Sequence, residues 1–511
     1  MVIVKRALLS CSDKTGVEAL AKGLHELKVE LIASSGTAAL LRRQKIPVKA
    51  IEEFTGVGEQ LDGRVKTLHP KIHAGILAKR DDPAHMTSVT PAGLIDLVVV
   101  NLYPFHEVSQ QTGVARDAAL EQIDIGGVAL LRAAAKNFPH VAAVSRPEQY
   151  AGILAALRIG RGTLPEDASA ALARDAFELT SRYDQWIASF LGGNPDTGAL
   201  SAGIQLSVHQ RQALRYGENP HQQGGWYAPD GEPAAGLARL AQVQGKELSY
   251  NNVLDLDAAV RCLSDLDEPA CVIVKHASPC GVATASTIAE AYQRAHACDP
   301  ESAFGGIVGV NRPLDALAAS LMAPTFLEVI LAPKIDPPAR AILLAKRSLR
   351  LIECPLEAAR ALEWRSIVGG WLIQGADAVT LSPDQARVVT TRRPTEAEWR
   401  DLTLGWIAAK HVKSNAIVVA KGGATVGIGP GQPSRVRAVR LALQNAGPRA
   451  RGAVLASDGF FPFPDNVDVA AEAGITAIIQ PGGSVKDPEV IAAADRVGLA
   501  MVLTGLRHFR H

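Results

Sequence analysis

Short apolar runs alternate with amphipathic segments along the first third of the chain. The run from Ala7 to Ser10 predicts a buried strand. After a polar turn, apolar residues recur every three or four positions, which is typical of a helix packed on one face. That face carries Val17, Leu20, Leu24 and Leu27. A second run, Val29 to Ala33, predicts another strand that leads through the small-residue turn of SSGTAALLRR into another helix. This order of elements indicates an α/β fold.

Each of these strand-to-helix turns offers hydroxyl groups and free backbone N–H groups at the start of a helix. Such a turn suits a phosphate, because the helix dipole and the unpaired N–H groups both favour an anion. Ordinary N-capping by serine or threonine explains one such turn equally well. Two in succession, one with a lysine, favour an anion site. Its candidates are Ser10, Ser12, Lys14, Ser34, Gly36 and Thr37.

The segment GRVKTLHPKIH adds two cations. Arg64 and Lys66 stand two positions apart, and on an extended chain such side chains lie on one face. Together with Thr67 they are predicted to bind one anion. His69 and His73 have the helical spacing of metal ligands, but no acidic residue stands where an H-E-x-x-H site needs one. We therefore expect no zinc here.

Two further segments carry candidate chemistry at the ends of elements. In DLVVVNLYPF, a buried-type strand from Leu97 to Val100 is followed by Asn101 and Tyr103. In QIDIGGVALLRAAAKN, Asp124 precedes a predicted Gly-Gly turn and Lys136 ends a predicted helix. Open α/β sheets bind their ligands at strand ends, so Tyr103 and Asp124 are candidates. A core tyrosine and a helix cap are the alternatives.

A second unit begins after a stretch rich in Gly, Pro and Asp. Phe190 to Gln205 predicts a linker, and LRYGENPHQ follows with Arg215 and Tyr216 before a polar turn. Two apolar strands, VIVKH and AIVVAK, carry a lysine at or near their ends. Each is followed some tens of residues later by a glycine-phenylalanine turn, AFGG or DGFFPF. This echo predicts two related subdomains.

The stretch VIVKHASPCG places Lys275 and His276 side by side where an apolar run stops. A solvated strand end is one interpretation. The other is a general base beside a cation. Neighbours on a strand point to opposite faces, so both can serve one site only if the strand has already ended. Pro279 and Gly281 predict that ending as a turn.

Composition limits the kind of partner. A chain of 511 residues exceeds one hydrophobic core and predicts several domains. It holds 53 basic and 52 acidic residues, so no net field attracts nucleic acid or an anionic membrane, and a small substrate is expected. The six cysteines form no C-x-x-C pair and no signal peptide or membrane-spanning run is present, which predicts a reduced, cytoplasmic protein.

The order of the longer motifs resembles one family. SDKTG, GRVKTLHPKIHAGIL, NLYPF, IDIGGVALLRAAAKN, LRYGENPHQ, KHASPCGVA, SAFGGIV, KHVKSNAIVVAK, FFPFPDNVD and LRHFRH are similar, in this order and nearly end to end, to the bifunctional purine biosynthesis (PurH) family. The resemblance implies an IMP cyclohydrolase of methylglyoxal-synthase-like fold over residues 1–195. It also implies an AICAR transformylase over residues 205–511, built from two tandem cytidine-deaminase-like subdomains without zinc. The chain lacks the H-x-E and P-C-x-x-C zinc pattern.

For the transformylase, the resemblance implies formyl transfer from 10-formyltetrahydrofolate to the amine of AICAR. His276 would be the base, Lys275 the adjacent cation and Asn415 the group that polarises the formyl carbonyl. Positions implied to bind the nucleotide are Arg215, Tyr216, Gly305, Glu328, Arg435, Phe463 and Arg507, and those implied to contact the folate are Asp468 and Asp487.

For the cyclohydrolase, the resemblance implies closure of formyl-AICAR to IMP with loss of water. Nucleotide-binding positions would be Ser10, Ser12, Lys14, Ser34, Gly36, Thr37, Arg64, Thr67, Asn101 and Gly126, and positions for proton transfer and oxyanion stabilisation would be Lys66, Tyr103, Asp124 and Lys136. Two departures stand out. Ser35 replaces the glycine usual in an S-G-G-T turn. Pro433 stands in GQPSR, which carries Arg435, where a flexible or hydrogen-bonding residue is more common in the family.

The resemblance further implies a homodimer with small-molecule partners only, and no metal, nucleic acid or membrane. Two rivals remain. One is a nucleotide-binding regulator with idle catalytic groups, against which the intact set of Lys275, His276 and Asn415 argues. The other is methylglyoxal-synthase-like phosphate chemistry in the N-terminal half alone. An assay with AICAR and 10-formyltetrahydrofolate separates all three.

Overall fold

The chain forms two compact units, Met1–Gln205 and Leu206–His511, called here the N-terminal and C-terminal units. A computed structural model describes residues 1–111, 113–192, 200, 203–204, 206–229, 236–357, 362–381 and 386–511. Most of the predicted linker therefore lies outside the described residues. None of the helices in those ranges is long and apolar enough to cross a membrane.

The N-terminal unit alternates strands and helices. Its described strands are β1 (Val2–Ile3), β2 (Arg6–Cys11), β3 (Glu30–Ala33), β4 (Lys49–Ala50), β5 (Leu97–Asn101), β6 (Ala142–Val144) and β7 (Thr163–Leu164). Its described helices are α1 (Val17–Glu26), α2 (Ser35–Arg43), α3 (Ile51–Thr55), α4 (Pro70–Leu77), α5 (Pro83–Ser88), α6 (Phe105–Ser109), α7 (Arg116–Leu120), α8 (Ile125–Lys136), α9 (Tyr150–Ile159) and α10 (Glu166–Gly192).

The core of this unit is a five-stranded parallel sheet in the order β4-β3-β2-β5-β6. Helices cover both faces, so β5 is buried at every position, as the continuous apolar run predicts. From β2 the chain moves outward to β3 and β4, whereas from β5 it moves the other way to β6. The carboxyl ends of β2 and β5 thus flank the point where the winding reverses, which is where such sheets bind ligands.

The C-terminal unit contains the remaining elements. Its described strands are β8 (Val208–Leu214), β9 (Gly224–Pro229), β10 (Ala241–Gln244), β11 (Ala270–Lys275), β12 (Ser278–Thr284), β13 (Ile307–Val310), β14 (Val329–Ala332), β15 (Arg350–Glu353), β16 (Leu362–Ile367), β17 (Gly370–Gly375), β18 (Arg387–Val388), β19 (Ile417–Lys421), β20 (Ala424–Gly429), β21 (Val454–Ser457), β22 (Ala477–Gln480) and β23 (Ala500–Leu503). Its described helices are α11 (Tyr250–Ser264), α12 (Ile288–Cys298), α13 (Pro300–Ala303), α14 (Ala316–Met322), α15 (Pro337–Leu343), α16 (Glu396–His411), α17 (Arg435–Ala446), α18 (Asp465–Glu472) and α19 (Asp487–Arg496).

A twelve-stranded sheet built from two similar halves dominates this unit. The first half has the order β10-β15-β14-β13-β11-β12, and the second half continues as β20-β19-β21-β22-β23-β18. Read outward from the central pair of β12 and β20, both halves present a hairpin, three parallel strands and an antiparallel edge strand. The predicted repeat of two related subdomains is present in this topology.

Three local predictions are wrong. Pro279 and Gly281 lie inside β12, and the turn after β11 consists of His276 and Ala277. The glycines after Asp124 begin the helix α8 and form no separate turn. Phe190, assigned to the linker, lies in α10 and packs its ring edge-on against Phe105, with the centroids 5.6 Å apart.

Candidate active sites

The loops after β2 and β5 are tied together at the carboxyl edge of the N-terminal sheet. The backbone N–H of Ser12 donates to the carbonyl of Asn101 at 3.3 Å. The Asn101 side chain accepts from the N–H of Asp13 and donates to its carbonyl, both at 2.8 Å. Ser10 lies just before this loop in β2, paired in register with Val100. Asn101 therefore fixes the shape of the predicted phosphate turn.

Lys14 lies among hydroxyl groups at the start of α2. Its Nζ donates to the carbonyl of Cys11 and to Thr37 Oγ1, the latter at 3.1 Å. Gly36 is open on this side, since a Cβ there would lie 4.0 Å from Lys14 Nζ. Burial lowers the pKa of Lys14, and the charge of Lys66 lowers it further. A bound phosphate would relieve both effects, which suits this cluster to an anion.

Ser34 is the N-cap residue of α2, and ordinary N-capping was the alternative explanation for this turn. Within the described residues its side chain makes no capping hydrogen bond to the helix, and its Oγ lies 3.5 Å from Thr37 Oγ1. Ser35, which departs from the family pattern, contacts Glu52 Oε1 at 3.1 Å and Glu59 Oε2 at 3.5 Å. The hydroxyl of Ser34 therefore bonds to Thr37 and does not cap the helix, while that of Ser35 bonds to carboxylates.

Arg64 and Lys66 do not converge as predicted. Arg64 pairs with Glu121, whereas Lys66 Nζ lies 3.4 Å from Glu59 Oε2. The chain is not extended here, because Val65, which lies between the two cations, pairs back with Gln60 in an isolated β-bridge. The two cations thus contact separate carboxylates instead of one shared anion.

Thr67 packs against the first turn of α8. It is buried, and a Cβ on Gly126 would lie 2.3 Å from Thr67 Oγ1, so only glycine allows this approach. The contact brings the segment of Lys66 and Thr67 next to Asp124, the N-cap of the same helix. The implied positions from two distant motifs thus meet here.

Asp124 serves as a helix cap and also as a buried carboxylate. It accepts from the N–H of Gly127 at 2.6 Å, and its own N–H donates to Tyr183 Oη at 2.9 Å. Burial raises the pKa of Asp124, while hydrogen bonds from the backbone of Gly127 and Tyr103 oppose that rise. The ring of Tyr103 is exposed. Asp124 and Tyr103 are therefore neighbours at the mouth of the site.

Lys136 lies away from this group within one chain. It is exposed at the last position of α8, and Asp124 caps the first. A helix of 12 residues is roughly 18 Å long, so the two side chains leave from opposite ends. The four implied catalytic positions are thus not all assembled in a single chain.

In the C-terminal unit, Lys275 and His276 occupy the end of the β11–β12 hairpin. Lys275 is the last residue of β11, and its Nζ donates to the carbonyls of Phe304 at 3.1 Å and Gly305 at 3.0 Å. His276 is exposed in the turn. A Cβ on Gly305 would lie 3.1 Å from that Nζ, and the φ of Gly305 is +68°, so this approach favours glycine. The strand has ended before the histidine, which was the condition for both residues to serve one site.

Further implied nucleotide-binding positions lie around this hairpin. Glu328 pairs with Arg350 at 2.9 Å and bonds to the Asn252 side chain at 3.4 Å. Arg215 lies over the ring of Tyr216, 5.6 Å from its centroid. Both line a small cavity together with Glu247, Leu248 and Ser249, the last being the N-cap of α11. Ser249 and Asn252 thus link these groups to the start of α11, the helix that precedes the hairpin.

Asn415 belongs to a second cluster, organised by Asp458. This carboxylate is fully buried and accepts from Ser414 Oγ and from the N–H of Ala416, the latter at 2.9 Å. It also pairs with Arg435, which is buried beside it. The Asn415 amide donates to the carbonyl of Gln432 at 2.8 Å. Asp458 was not among the predicted site residues, and its signal in the sequence is its place before the GFFPF turn.

The C-terminal tail contacts this cluster, and the implied folate positions lie on helices of the same half of the unit. The carbonyl of Arg510 accepts from the N–H of Ser414 at 2.8 Å, and Arg507 lies over the Phe509 ring at 4.4 Å. The ring of Phe463 is exposed. Asp468 pairs with Arg496 at 2.9 Å, and Asp487 accepts from the N–H of Gly483 at 2.7 Å.

His276 and Asn415 lie at the same end of the sheet but on different strands. β11 ends there and β19 begins there, because the intervening β12 and β20 pair antiparallel with their neighbours and with each other. Three strand intervals separate β11 from β19, which is roughly 14 Å. In the part of the chain that the structure describes, no group of three or more His, Cys, Asp or Glu side chains could hold a metal ion.

The matching family models and the full-length relatives indicate one family. The model of the AICARFT/IMPCHase bienzyme matches residues 134–445, and that of the MGS-like domain matches residues 16–129. A bifunctional purine biosynthesis protein PurH from Cyanothece sp. is 50% identical over 99% of both chains, and one from Synechocystis sp. is 48% identical over 100% of both. A solved structure titled "Crystal structure of ForH" is 37% identical, covers 37% of this chain and all of its own, and has a TM-score of 0.34.

Proposed function

This chain belongs to the family of AICARFT/IMPCHase bienzymes, the bifunctional PurH proteins, and we propose that each of its two units carries one of the two reactions. The protein is a bifunctional enzyme of purine biosynthesis, with AICAR transformylase and IMP cyclohydrolase activities, and the fold class predicted from the sequence is confirmed. The cyclohydrolase is assigned to residues 1–195 and the transformylase to residues 205–511.

Formyl transfer needs help at both reacting groups. The amine of AICAR is a poor nucleophile, because its lone pair is delocalised into the imidazole and the neighbouring carboxamide. His276 removes the amine proton as the amine nitrogen bonds to the formyl carbon of 10-formyltetrahydrofolate, and Asn415 donates to the formyl oxygen as negative charge develops there. The bond from that carbon to the folate nitrogen then breaks, and tetrahydrofolate leaves with a proton on that nitrogen. Lys275 supplies positive charge beside them. The observation that carries this assignment is the geometry of the hairpin turn. The turn presents His276, and the preceding residue, Lys275, donates to the carbonyls of Phe304 and Gly305.

Ring closure uses the N-terminal crevice. The cluster of Lys14, Ser34 and Thr37 binds the phosphate of formyl-AICAR. Their mutual hydrogen bonds gather an ammonium group and two hydroxyls at the start of α2, where a helix favours an anion. The carboxamide nitrogen then attacks the formyl carbon, which generates an oxyanion before water is lost. Lys66, Tyr103 and Asp124 lie closest to that end of α8 and handle its protons and charge.

A second copy of the chain completes the transformylase site. Within one chain the strands that carry His276 and Asn415 lie roughly 14 Å apart, a separation wider than one formyl group, which supports this. We therefore propose a homodimer in which His276 of one protomer works with Asn415 of its partner. A mixture of His276→Ala and Asn415→Ala proteins should regain about a quarter of the parent rate, because half of its dimers hold one intact site. No regain would contradict the shared site.

The remaining partners are small molecules. We propose AICAR, formyl-AICAR and 10-formyltetrahydrofolate as substrates, with Asp468 and Asp487 contacting the folate and no metal in the reaction. The homodimer would act in the cytoplasm, without a nucleic-acid or membrane partner. All six cysteines are free thiols, which suits a reducing compartment.

One assay separates the proposal from its rivals. The full-length protein is given AICAR and 10-formyltetrahydrofolate, and both tetrahydrofolate and IMP are followed. Both should form; binding without turnover would indicate an idle regulator. A fragment ending near residue 195 retains all of α10 and should still convert formyl-AICAR to IMP. A folded fragment without that activity, or one that instead eliminates phosphate from dihydroxyacetone phosphate, would overturn the assignment of the N-terminal unit.

A further inference from the structure

The two halves of the twelve-stranded sheet end their hairpins in the same backbone shape with different residues. In the second half, Gly422 and Gly423 form the turn between β19 and β20, with φ of +62° and +77°. In the first half the turn is His276 and Ala277, with φ of +53° and +57°. Two-residue turns with both φ values positive favour glycine and asparagine. A histidine and an alanine are strained there, since each Cβ crowds its backbone.

Each turn is held by a carboxylate at the same place in the preceding helix. Asp401 of α16 stands six residues after the N-cap Thr395, and it accepts from the N–H of Gly422 at 2.8 Å and of Gly423 at 2.7 Å. Asp255 of α11 stands six residues after the N-cap Ser249 and accepts from the N–H of Ala277 at 2.5 Å. Because a carboxylate at the same helix position bonds to the turn in both halves, this contact belongs to the structure of both hairpins.

We propose that Asp255 is a positioning residue for formyl transfer, because its hydrogen bond to Ala277 holds the strained turn that aims His276. The inference rests on the proposed role of His276 as the base. Lys275 fixes one side of the turn through the carbonyls of Phe304 and Gly305, and Asp255 fixes the other. Strain of this kind persists where the surroundings enforce it, and it gathers at functional sites.

The surroundings of Asp255 fit this role. Burial raises the pKa of this carboxyl, while its hydrogen bond to Ala277 and the charges of His276 and Lys275 lower it, and Glu328 raises it. Its carboxylate therefore faces the two residues that carry the chemistry. Asp401 holds its own turn at the opposite end of the strands, away from His276. The chain thus supplies a matched control.

The test compares Asp255→Ala with Asp401→Ala in the full-length protein. Asp255→Ala should lower kcat of formyl transfer by about tenfold or more, since a catalytic group displaced by about 1 Å can lose a hundredfold. The KM for AICAR should change by less than about threefold, because other groups bind the nucleotide. Asp401→Ala should lower the melting temperature but leave kcat within about twofold. Equal losses of kcat in the two variants would overturn the proposal.

A rescue experiment distinguishes positioning from general damage. Glycine accepts a positive φ, so Asp255→Ala combined with Ala277→Gly should recover about fivefold of the lost kcat. Asp255→Asn keeps an acceptor oxygen and should be less impaired than Asp255→Ala. No recovery in the double variant would overturn the proposal. If His276→Ala also transferred formyl normally, the proposed function itself would fail; a damaging His276→Ala with a harmless Asp255→Ala would remove only this inference.

Discussion

The imidazole of His411 and the carboxylate of Asp265 join the two halves of the C-terminal unit, with Nε2 and Oδ2 2.7 Å apart. The two residues are counterparts, since each stands sixteen positions after the N-cap of its helix, Thr395 or Ser249. Lys410 Nζ lies 3.0 Å from the same carboxylate oxygen. His411 and Lys410 are buried, so this contact is largely shielded from water. We therefore expect the junction of the halves to be sensitive to protonation.

The first prediction concerns acid. Burial lowers the pKa of His411 below its ordinary value of 6.5, although Asp265 opposes the shift. Below pH 6.5 the unfolded chain therefore binds a proton that the folded chain refuses, so stability falls as the pH falls. His411→Gln removes this proton uptake. Between pH 7.5 and 5.5, the melting temperature should drop less in this variant than in the parent, as measured by tryptophan fluorescence.

Tryptophan fluorescence suits this measurement, because five of the six tryptophans lie in the C-terminal unit and Trp406 is buried in α16. His296→Gln is the control, since this half-buried histidine lies on α12 away from the junction. It should keep the full acid dependence of the parent. An acid dependence unchanged in His411→Gln would show that the junction does not sense pH.

The second prediction concerns Asp458, which holds both neighbours of Asn415 and the guanidinium of Arg435. Asp458→Asn keeps the volume but leaves Arg435 buried without a counter-charge. It should cost about 3–5 kcal/mol of unfolding free energy. Formyl transfer should fall by about a hundredfold, because Asn415 loses its placement. Cyclohydrolase turnover is the internal control, and Asp495→Asn, an exposed carboxylate, should change neither quantity. A stable variant with normal transfer would contradict the role of Asp458.

The third prediction concerns the contact between α8 and the segment of Lys66. In Gly126→Ala the new Cβ would lie 2.3 Å from Thr67 Oγ1, and buried Thr67 has little room to move. Cyclohydrolase activity should fall about tenfold as this segment is displaced, with formyl transfer unchanged. Gly152→Ala on α9 meets nothing within 4 Å and should leave both activities intact. If Gly126→Ala closed the ring at the parent rate, the segment would not need this contact.

Much of the strand pattern can be predicted from the sequence, but the predicted turn at Pro279 and Gly281 is wrong for physical reasons. Pro279 pairs with Val274 beside a register shift, where a missing N–H is tolerated. Gly281 is needed because a Cβ there would lie 2.1 Å from the carbonyl of Ala295 in α12. The glycine reports close packing of a helix on the strand, and sequence alone does not separate that cause from a turn.

The missed residues act across long separations in the chain. Asp255 bonds to Ala277, and Asp458 bonds to Ser414, so neither carboxylate has a partner at local spacing. The repeated strands were visible as composition, but the equivalence of Asp255 and Asp401 depends on aligning two capped helices in space. The role of Lys136 came from resemblance alone, and the length of α8 separates it from Asp124 within one chain.

The last prediction tests the hairpin itself. His276→Ala should lower formyl transfer by about a hundredfold or more, as loss of a general base does. AICAR binding should change far less, and cyclohydrolase turnover of supplied formyl-AICAR should survive, since it uses the other unit.

Lys275→Ala should also slow transfer, through lost charge stabilisation. Its control is Lys421→Ala: Lys421 ends the equivalent strand β19 and donates to the carbonyl of Arg451 at 2.7 Å. That variant should transfer formyl at nearly the parent rate. A solvated strand end would instead tolerate all three changes, with small effects on stability and none on rate. Formyl transfer within a few-fold of the parent in His276→Ala would favour that interpretation and remove the histidine from the mechanism.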